Sequence, residues 1–251
     1  MDVRRTKLPD FSSFEYSKES FLLKEYDSFL SNIFSILHSE KWLSHPDKIY
    51  KAENKLLQLK YAKEIGFNVP HTLISTQPDE IRDFYYSNGK QVVFKPFFNS
   101  KIEENGVVKL LFTNLIKEDD INSLEQYELT PVIYQKFIEK KLEYRVTVVE
   151  DDIFVASVNS QIHQKTVVDW RRGDLKFERA NIPYRIKEMC FDLVKRFGLK
   201  FGAIDLIRDN EDNCFFVEIN PNGQWVWIEM DTGLKISNSI VKYLTSHHEI
   251  Y

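Results

Sequence analysis

Two carboxylates occupy positions in the sequence where burial is expected, and their spacing suggests that they act together. The stretch FGAIDLIRDNEDNCFFVEINPNGQW, residues 201–225, predicts two apolar strands joined by a polar turn. With the turn centred on residues 211–212, a hairpin brings Asp205 directly opposite Glu218. Because side chains alternate between the faces of a strand, Asn220 lies on the same face as Glu218. The sequence therefore predicts a cluster of two carboxylates and one amide oxygen.

The predicted cluster carries an electrostatic cost that something must offset. The other face of the hairpin is apolar and is formed by Ile204, Leu206, Val217 and Ile219. Directly opposed residues have Cα atoms about 4.5–5.5 Å apart. Two carboxylates about 5 Å apart repel by roughly 3 kcal/mol at an effective dielectric constant of about 20. A Mg²⁺ ion suits an oxygen-only set, since it commonly takes one or two carboxylates plus phosphate oxygens. Protonation of one acid, or an edge hairpin whose acids meet Lys or Arg in solvent, is the alternative, and the hairpin alone leaves these open.

Two lysines stand where they could hold the phosphates of a nucleotide. Lys95 ends the apolar segment VVFKP, where its stem can pack while its amine projects, and Lys55 lies in the first turn of the helical segment ENKLLQLKYA. A lysine taken alone is more often simply solvated. The sequence has neither a GxxxxGK[ST] nor a GxGxxG motif, so any nucleotide here is not bound by a P-loop or a dinucleotide fingerprint.

Composition sets outer limits on the function. The chain has 251 residues, of which 43% are hydrophobic and 29% charged, enough for one large domain or two closely packed subdomains. A net charge of -4 gives no electrostatic reason to expect nucleic acid or an anionic membrane as a partner. No apolar run approaches the length of a membrane span, and the start, MDVRRTKLPDF, lacks the apolar core of a signal peptide. These features predict a cytoplasmic protein.

The elements that would position these residues are helices and strands in irregular order. Apolar spacing predicts helices over residues 20–38, 52–66, 78–89, 116–127, 184–197 and 236–244. Strands are predicted over residues 71–75, 91–96, 107–112, 131–138, 144–159, and in the two arms of the hairpin. Residues 97–106 are expected to form a polar loop. Without a regular alternation of strand and helix, the sequence predicts an α+β protein with at least two lobes.

The order of several motifs resembles the ATP-grasp superfamily. The motifs are NKLLQLKYAKEIGFNVPHTLIS, VVFKP, VIYQKFIEKKLEYRVTVVEDDIFVA, DWRR, and GAIDLI followed by FFVEINPNGQW. They run from about residue 51 to the C-terminus, and the set is specific although each member alone is weak. Together with VRR near the start and EINPNGQW after the second strand, they are most similar to the microviridin-type peptide ligases, also called graspetide maturases. The ribosomal-protein glutamate ligases are similar more distantly.

The resemblance implies an ATP-grasp fold, in which two α+β lobes grip ATP, and it gives roles to five residues around the nucleotide. Lys55 and Lys95 would hold the ATP phosphates. Lys136 and Phe137 would offer backbone groups of the hinge to adenine, and Glu143 would lie near the ribose.

The resemblance also supports the metal cluster and adds an arginine. Asp205, Glu218 and Asn220 match the superfamily's Mg²⁺ ligands, the same three residues that the hairpin proposes. Arg171, in DWRR, would face the phosphates and the acyl-phosphate intermediate. Arg172 has the same chemistry, so both remain candidates, and a surface loop arginine is the simpler interpretation of either.

The implied reaction is a two-step ligation. A substrate carboxylate attacks the γ-phosphoryl group of ATP to give an acyl phosphate and ADP, and a hydroxyl or amine then displaces phosphate to form an ester or amide. In the similar ligases the partner is a ribosomal precursor peptide, with a leader and a core, whose Asp or Glu side chains are joined to Thr, Ser or Lys. The alternatives are a glutamate-ligase-like enzyme that adds amino acids, and an inactive ATP-binding module that recruits a peptide. The resemblance leaves a homodimer open.

The resemblance also predicts domain limits. Residues 51–135 would form the first lobe and residues 136–251 the C-terminal lobe with the metal site. Residues 1–50 would be the remnant of a shortened N-terminal domain, since in these families most of a small α/β domain precedes VRR. After the metal ligands, Gln224, Trp225 and Trp227 would wall the cavity where the acyl phosphate meets its nucleophile, or both tryptophans would belong to the core.

Overall fold

The computed structural model describes most of the chain. The described ranges are residues 9–37, 42–97, 101–104, 107–110, 113–126 and 130–246. The VRR motif lies outside them, so its part in the resemblance has no structural counterpart here. None of the helices in these ranges is both long and apolar enough to cross a membrane.

Eight α-helices and eleven strands are present in the described ranges. The helices are α1 (Tyr16–Ile36), α2 (Pro46–Ala52), α3 (Lys55–Ile65), α4 (Pro78–Ser87), α5 (Glu118–Asn122), α6 (Tyr184–Arg196), α7 (Val226–Thr232) and α8 (Ile236–Thr245). The strands are β1 (Thr72–Ser75), β2 (Val92–Lys95), β3 (Lys101–Glu104), β4 (Val107–Leu110), β5 (Asn114–Leu115), β6 (Val132–Lys136), β7 (Lys140–Val149), β8 (Asp152–Val158), β9 (Glu178–Arg179), β10 (Phe201–Asp209) and β11 (Cys214–Asn220). Short 3-10 turns occur at Leu124–Gln126, Ser160–Ile162 and Trp170–Arg172.

The small sheet contains β2, the strand that ends at Lys95. Its four antiparallel strands run in the order β1-β6-β2-β5, and α4 covers its apolar face. Ile81 and Tyr85 of α4 are buried there against Val92 of β2 and Tyr134 of β6. This packing fixes β2, so that Lys95 stands at the end of a strand whose inner part is anchored in a core.

The large sheet carries the predicted metal hairpin. Its order is β11-β10-β7-β8-β9, with every pair antiparallel, and apolar clusters lie on both faces. Helices α3 and α6 cover one face, where Val146, Ile204 and Leu206 are buried. Helices α7 and α8 cover part of the other, against Ala203 and Phe201. The middle strands are therefore buried on both sides, and the uncovered part of the second face is left for a cleft.

The register of the β10–β11 hairpin confirms the central prediction and corrects a part of it. Asp205 pairs with Glu218, and Ala203 pairs with Asn220, as expected. A register shift follows, because Leu206 pairs with Phe216, which leaves Val217 as an extra residue in β11. The prediction that Val217 fills the buried face was wrong: the bulge turns it to the cleft.

Other elements differ from the sequence prediction for identifiable reasons. The polar loop expected over residues 97–106 contains β3, which pairs with β4; the segment's polarity hid a strand held by backbone pairing. Helix α7 was not predicted. In α1 only Phe34 is buried, and Phe29 is 58% exposed. The division of the chain near residues 50 and 135 stays a prediction, with residue 136 ending β6.

Strand β11 is the edge of the large sheet, and a glutamine takes the place of a further strand. The Gln58 Nε2 atom donates to the Ile219 carbonyl oxygen at 2.9 Å and to the Ala52 carbonyl oxygen at 2.7 Å. The Ile219 N–H donates to Gln58 Oε1 at 3.1 Å. Gln58 is buried, so these backbone groups would have no water as a substitute partner. One side chain thus holds the residue between Glu218 and Asn220 in place.

Replacing Gln58 by Ala is expected to lower the free energy of unfolding by about 2–4 kcal/mol, because it leaves buried backbone groups unpaired and opens a small cavity. Urea unfolding of the purified protein measures this change. Gln91→Ala, at an exposed position, is the matched control and is expected to leave stability within about 0.5 kcal/mol of wild type. Equal stability of the Gln58→Ala and Gln91→Ala variants would show that β11 is held by other contacts.

Candidate functional site

A cleft lies between the small and large sheets. It encloses about 820 Å³ including its open mouth. Eight of the predicted site residues line it: Lys55, Lys95, Lys136, Phe137, Glu143, Arg171, Asp205 and Glu218. Asn220 lines an adjoining recess together with Lys55, Glu218, Glu53 and Phe97. Residues from distant parts of the sequence therefore meet in one place.

The two predicted phosphate lysines are brought together by the chain itself. Asn54 caps helix α3 by accepting the Leu57 N–H, which sets Lys55 at the first helical position. Its Nζ atom donates to the Pro96 carbonyl oxygen at 2.7 Å, one residue beyond Lys95. Burial lowers the pKa of both amines, and that of Lys95 falls to about 8, with nearby Glu218 opposing the shift. Two partly dehydrated cations at one end of a cleft favour binding of an anion.

The two carboxylates are offset in part by an arginine that was not predicted from the sequence. Arg145 lies opposite Asp205 on the neighbouring strand β7, and its NH1 group donates to both Asp205 oxygens at 2.8 and 2.9 Å. Burial raises the pKa of Asp205 to about 6; Arg145 opposes this rise, and Glu218 adds to it. The Arg145 side chain is only 8% exposed, so the partner of Asp205 is an interior arginine and not one in solvent.

The donor set fits a magnesium ion that also binds phosphate. The described residues contain no group of three or more His, Cys, Asp or Glu arranged to hold a metal. A metal here would depend on Asp205, Glu218 and Asn220, an oxygen-only set with two carboxylates, and on oxygens from a ligand. Asn220 Oδ1 already accepts the Asn222 N–H at 3.0 Å, which fixes its amide group. The chemistry of the set therefore suits Mg²⁺ together with a nucleotide.

The hinge backbone offers fewer free groups than the resemblance implies. The Lys136 N–H donates to the His71 carbonyl oxygen at 2.9 Å, and the Phe137 N–H donates to the Gln91 carbonyl oxygen at 2.8 Å. What these two residues offer to a base is thus their carbonyl oxygens. The next residue, Ile138, also lines the cleft, and no acceptor in the described ranges takes its N–H. Such a backbone donor leaves no signal in the sequence.

Glu143 pairs with the buried Lys140, a contact that the alternation of side chains along a strand does not predict. Lys140 Nζ donates to Glu143 Oε1 at 3.0 Å and to the Val168 carbonyl oxygen at 2.9 Å. Three residues apart on a regular strand, Lys140 and Glu143 would face opposite sides. A register shift between Arg208 and Asp209 interrupts the regular pairing there and allows the contact. One oxygen of Glu143 is therefore occupied, and Lys140 adds a further cation to the cleft.

The DWRR segment separates the two arginines that the sequence left equivalent. Asp169 accepts hydrogen bonds from Arg171 Nε at 2.8 Å and Arg171 NH2 at 2.6 Å, and Arg171 lines the cleft. These bonds raise the pKa of Arg171. Burial alone would raise the pKa of Asp169, but the hydrogen bonds from Arg171 outweigh burial and lower the pKa of Asp169. Arg172 instead donates to the Thr113 carbonyl oxygen at 2.8 Å and to Asn114 Oδ1 at 2.6 Å. Of the two, the geometry favours Arg171 for a role at the phosphates.

The tryptophans after the metal ligands belong to the second apolar cluster. Trp227 packs against Trp170 and Phe177, with ring centroids 5.5 and 5.0 Å apart, and Trp225 packs against the same cluster. Trp170 itself lines the cleft. The structure thus favours the core interpretation of Trp225 and Trp227, and the second of them supports the loop that carries Arg171.

Two sheets that hold a cleft of this composition between them define an ATP-grasp protein. A family model described as a RimK-like ATP-grasp domain matches residues 52–244, and the chain belongs to that family. The family match confirms the ATP-grasp resemblance and the α+β fold that the motifs implied.

Solved structures share this fold over nearly the whole chain. A RiPP-associated ATP-grasp ligase of Chryseobacterium gregarium, in complex with ADP and a leader and core peptide, is 31% identical with a TM-score of 0.81; the match covers 93% of this chain and 70% of that chain. The macrocyclase MdnC of Microcystis aeruginosa MRC, bound with precursor peptide MdnA, is 30% identical with a TM-score of 0.83, covering 97% of this chain and 77% of that chain.

More distant similarity connects the chain to amino-acid ligases. A probable alpha-L-glutamate ligase of Enterobacter sp. strain 638 is 26% identical over 206 residues, which cover 79% of this chain and 65% of that protein. The chain spans 46% and 65% of the lengths of the two curated relatives it matches.

The lowered pKa of Lys95 predicts that proton uptake on Mg-ATP binding depends on pH. At about 8 it lies below the ordinary value of 10.5, so Lys95 is charged below pH 8 and becomes neutral as the pH rises through 8. Phosphate oxygens favour the charged amine, so Mg-ATP binding near pH 9 is expected to take up close to one proton per nucleotide, and much less near pH 6.5. Calorimetric titrations in buffers of different ionisation enthalpy measure this uptake.

The matched pair of variants is Lys95→Met and Lys141→Met. Lys141 is an exposed lysine that pairs with Asp212 and does not line the cleft, so its variant is expected to retain the uptake. The Lys95→Met variant is expected to bind more weakly and to lose most of the uptake. Uptake at pH 9 that persists in Lys95→Met would assign the proton to another group.

Proposed function

We propose that this protein is an ATP-dependent carboxylate ligase that joins side chains within a ribosomal precursor peptide. It activates Asp or Glu side chains as acyl phosphates and forms ester or amide crosslinks. The observation that carries the proposal is the convergence of Lys55, Lys95, Arg171, Asp205 and Glu218 on one cleft. The 30–31% identity to two ATP-grasp ligases bound to peptides supports the substrate class.

In the first step the cations of the cleft hold and neutralise the phosphates. Lys55 and Lys95 bind phosphate oxygens, and Arg171 faces the phosphoryl group that is transferred. An oxygen of the substrate carboxylate bonds to the γ-phosphorus while the bond to the β-phosphate oxygen breaks, which gives the acyl phosphate and ADP. The protein's contribution is positioning and charge neutralisation, so a strong base is not required.

Asp205, Glu218 and Asn220 are the residues that would hold Mg²⁺. When bound, the ion neutralises phosphate charge and orients the oxygens of the leaving group. Arg145 holds Asp205 through one NH1 group, which keeps that carboxylate in position. Gln58 holds the backbone between the other two ligands.

In the second step a hydroxyl or amine of the same peptide attacks the acyl carbon and phosphate leaves. The attacking group loses its proton to the departing phosphate as the new bond forms, and the product is an ester or an amide. We propose a precursor with a leader and a core as the partner, and the cytoplasm as the site of this ATP-consuming reaction. In this proposal residues 51–135 supply the first lobe, apart from α3, which packs on the large sheet, and residues 136–251 supply the second lobe. A homodimer stays a prediction.

The alternative is a ligase that appends an amino acid to a carboxylate. The 26% identity to a probable alpha-L-glutamate ligase favours it, and the same cleft chemistry serves it. The two reactions share the acyl phosphate and differ in the nucleophile, which is part of the peptide in one and a free amino acid in the other. They therefore differ in the mass of the product.

The test is incubation of the purified protein with Mg-ATP and its cognate precursor peptide, followed by mass spectrometry. Crosslinking is expected to remove one water mass per bond formed, and the linked segment is expected to resist backbone fragmentation. A gain equal to an amino acid residue, with that amino acid supplied, would support the alternative instead. Nucleotide binding without any change in mass would contradict both ligase assignments.

Variants of the predicted metal ligands separate catalysis from folding. Asp205→Asn and Glu218→Gln are each expected to lower ATP turnover by at least about 100-fold, since each removes a charge that would hold Mg²⁺ beside the phosphates. Thermal unfolding of Glu218→Gln is expected to stay close to wild type, because the change removes one of two repelling carboxylates. Asp205→Asn is expected to unfold cooperatively at a lower temperature, because it leaves the buried Arg145 without its charged partner. Glu211→Gln changes an exposed acid in the turn of the same hairpin and is the control. Turnover that survives in both ligand variants would remove the metal assignment.

A further inference from the structure

Hydrogen bonds fasten the two walls of the cleft to each other where the DWRR segment meets β5. The DWRR segment belongs to the large-sheet side, and Thr113 and Asn114 belong to the small-sheet side, where Asn114 begins β5. Hydrogen bonds between described residues cross from one side to the other. The Thr113 N–H donates to Asp169 Oδ2 at 3.3 Å, and Arg172 NH2 donates to the Thr113 carbonyl oxygen at 2.8 Å and to Asn114 Oδ1 at 2.6 Å.

Asp169 takes part in both the junction and the cleft. It is 5% exposed, and besides the Thr113 N–H its carboxylate accepts the Arg171 N–H at 3.1 Å and the two side-chain bonds from Arg171. The same carboxylate therefore fixes the cleft arginine and receives a donor from the opposite wall. Because a buried carboxylate needs its donors, the position of Arg171 and the contact between the walls depend on each other.

The junction also reaches the strand of the phosphate lysine. Asn114 pairs with Phe94 in β2, the residue before Lys95. From the other side, Lys140 of β7 donates to the carbonyl oxygen of Val168, the residue before Asp169. The junction thus connects the strand that carries Lys95 to the loop that carries Arg171, through short and mostly rigid links.

We propose that Arg172 and Asp169 form a latch that holds the small sheet closed on the large sheet and places Arg171 in the cleft only in that closed arrangement. Both are positioning residues: Arg172 fastens the walls from the exposed side, and Asp169 relays the fastening to Arg171. The latch itself is a property of the fold, and its effect on nucleotide rests on the proposed function. Opening the latch releases Thr113 and Asn114 from the DWRR segment and removes the Thr113 donor from the carboxylate that holds Arg171.

The first test needs no nucleotide. In the ligand-free protein, Arg172→Ala is expected to speed hydrogen–deuterium exchange of the amides of residues 113–115 about tenfold, since the closed junction protects the Thr113 N–H. Arg179→Ala is the matched control, because Arg179 is also exposed and donates to two backbone carbonyl oxygens, of Thr232 and Gly233, away from the junction. Exchange in Arg172→Ala equal to that in Arg179→Ala would overturn the latch.

A double-mutant cycle tests whether Arg172 acts through its partner. Asn114→Ala removes the side-chain acceptor and leaves the Thr113 carbonyl oxygen, so its effect on exchange is expected to be smaller than that of Arg172→Ala. The double variant is expected to match Arg172→Ala alone, because the second change removes a contact already lost. Effects that simply multiply would show that the two side chains act independently, against the proposal.

The second test measures the consequence for the reaction. With Mg-ATP carrying a fluorescent ribose label, Arg172→Ala is expected to release nucleotide about tenfold faster in stopped-flow experiments. It is also expected to lower turnover at saturating ATP, because the open arrangement no longer places Arg171 in the cleft. Asp169→Asn keeps an acceptor for Thr113 but removes the charge that holds Arg171. It is expected to retain nucleotide release close to wild type and to lose most turnover at saturating ATP.

The outcomes separate the latch from the proposed function. Wild-type protein that binds no nucleotide would contradict the proposed function, while the exchange experiment still decides on the latch. Wild-type binding with unchanged release in Arg172→Ala would overturn the latch and leave the ligase proposal standing. Full turnover in Asp169→Asn would overturn the positioning role of Asp169. If the variant of the buried Asp169 fails to fold, the variants of the exposed Arg172 still decide whether the latch exists.

Discussion

Charges of both signs are crowded into one half-dehydrated cleft, and stabilising these charges away from solvent is the constraint on which the rest of the structure depends. Most of these charges are neutralised internally in pairs: Arg145 with Asp205, Lys140 with Glu143, and Arg171 with Asp169. Each pair lies between neighbouring parts of the backbone, so the attraction between its two charges offsets part of the free energy of burying them.

Other charged residues of the cleft are treated differently from these pairs. In the described part of the chain, the Lys95 amine and the Glu218 carboxylate have no ion-pair partner within contact distance, although each feels the field of the other. The pairs therefore form a neutral frame, and the remaining charge is presented to a ligand. This division explains why a cleft with so many ionised groups is compatible with a stable fold and is also able to bind a nucleotide and a metal.

The sequence predicted those parts of the site that depend on regular periodicity. Asp205, Glu218 and Asn220 were placed together because a strand alternates with a period of two, and that part of the hairpin is regular. Val217 and Lys140 were missed because register shifts lie beside them, and a single extra residue reverses the face of every later side chain in the strand. The sequence thus predicts residues in the regular parts of a strand and misses those beside a register shift.

Long-range partners were the second kind of information that the sequence lacked. Arg145 was one basic residue in an apolar strand until β7 was seen to pair with β10, and the roles of Arg171 and Arg172 separated only when β5 was placed beside the DWRR segment. The family resemblance supplied the cleft residues as a set, because members of a family share a three-dimensional arrangement. It said nothing of the buried partners that hold that set in place.

The close packing behind the hairpin sets a limit on how this protein can be altered. A Cβ atom at Gly223 would lie 2.6 Å from the Cβ atom of Ala203 and 2.8 Å from Arg145 NH2, so any larger residue there would push against the arginine that holds Asp205. Directed evolution toward new peptides is therefore expected to accept few substitutions at this position. Glu53 and Phe97, in the adjoining recess, are exposed, so they are the positions there at which a mutant library meets no such close packing.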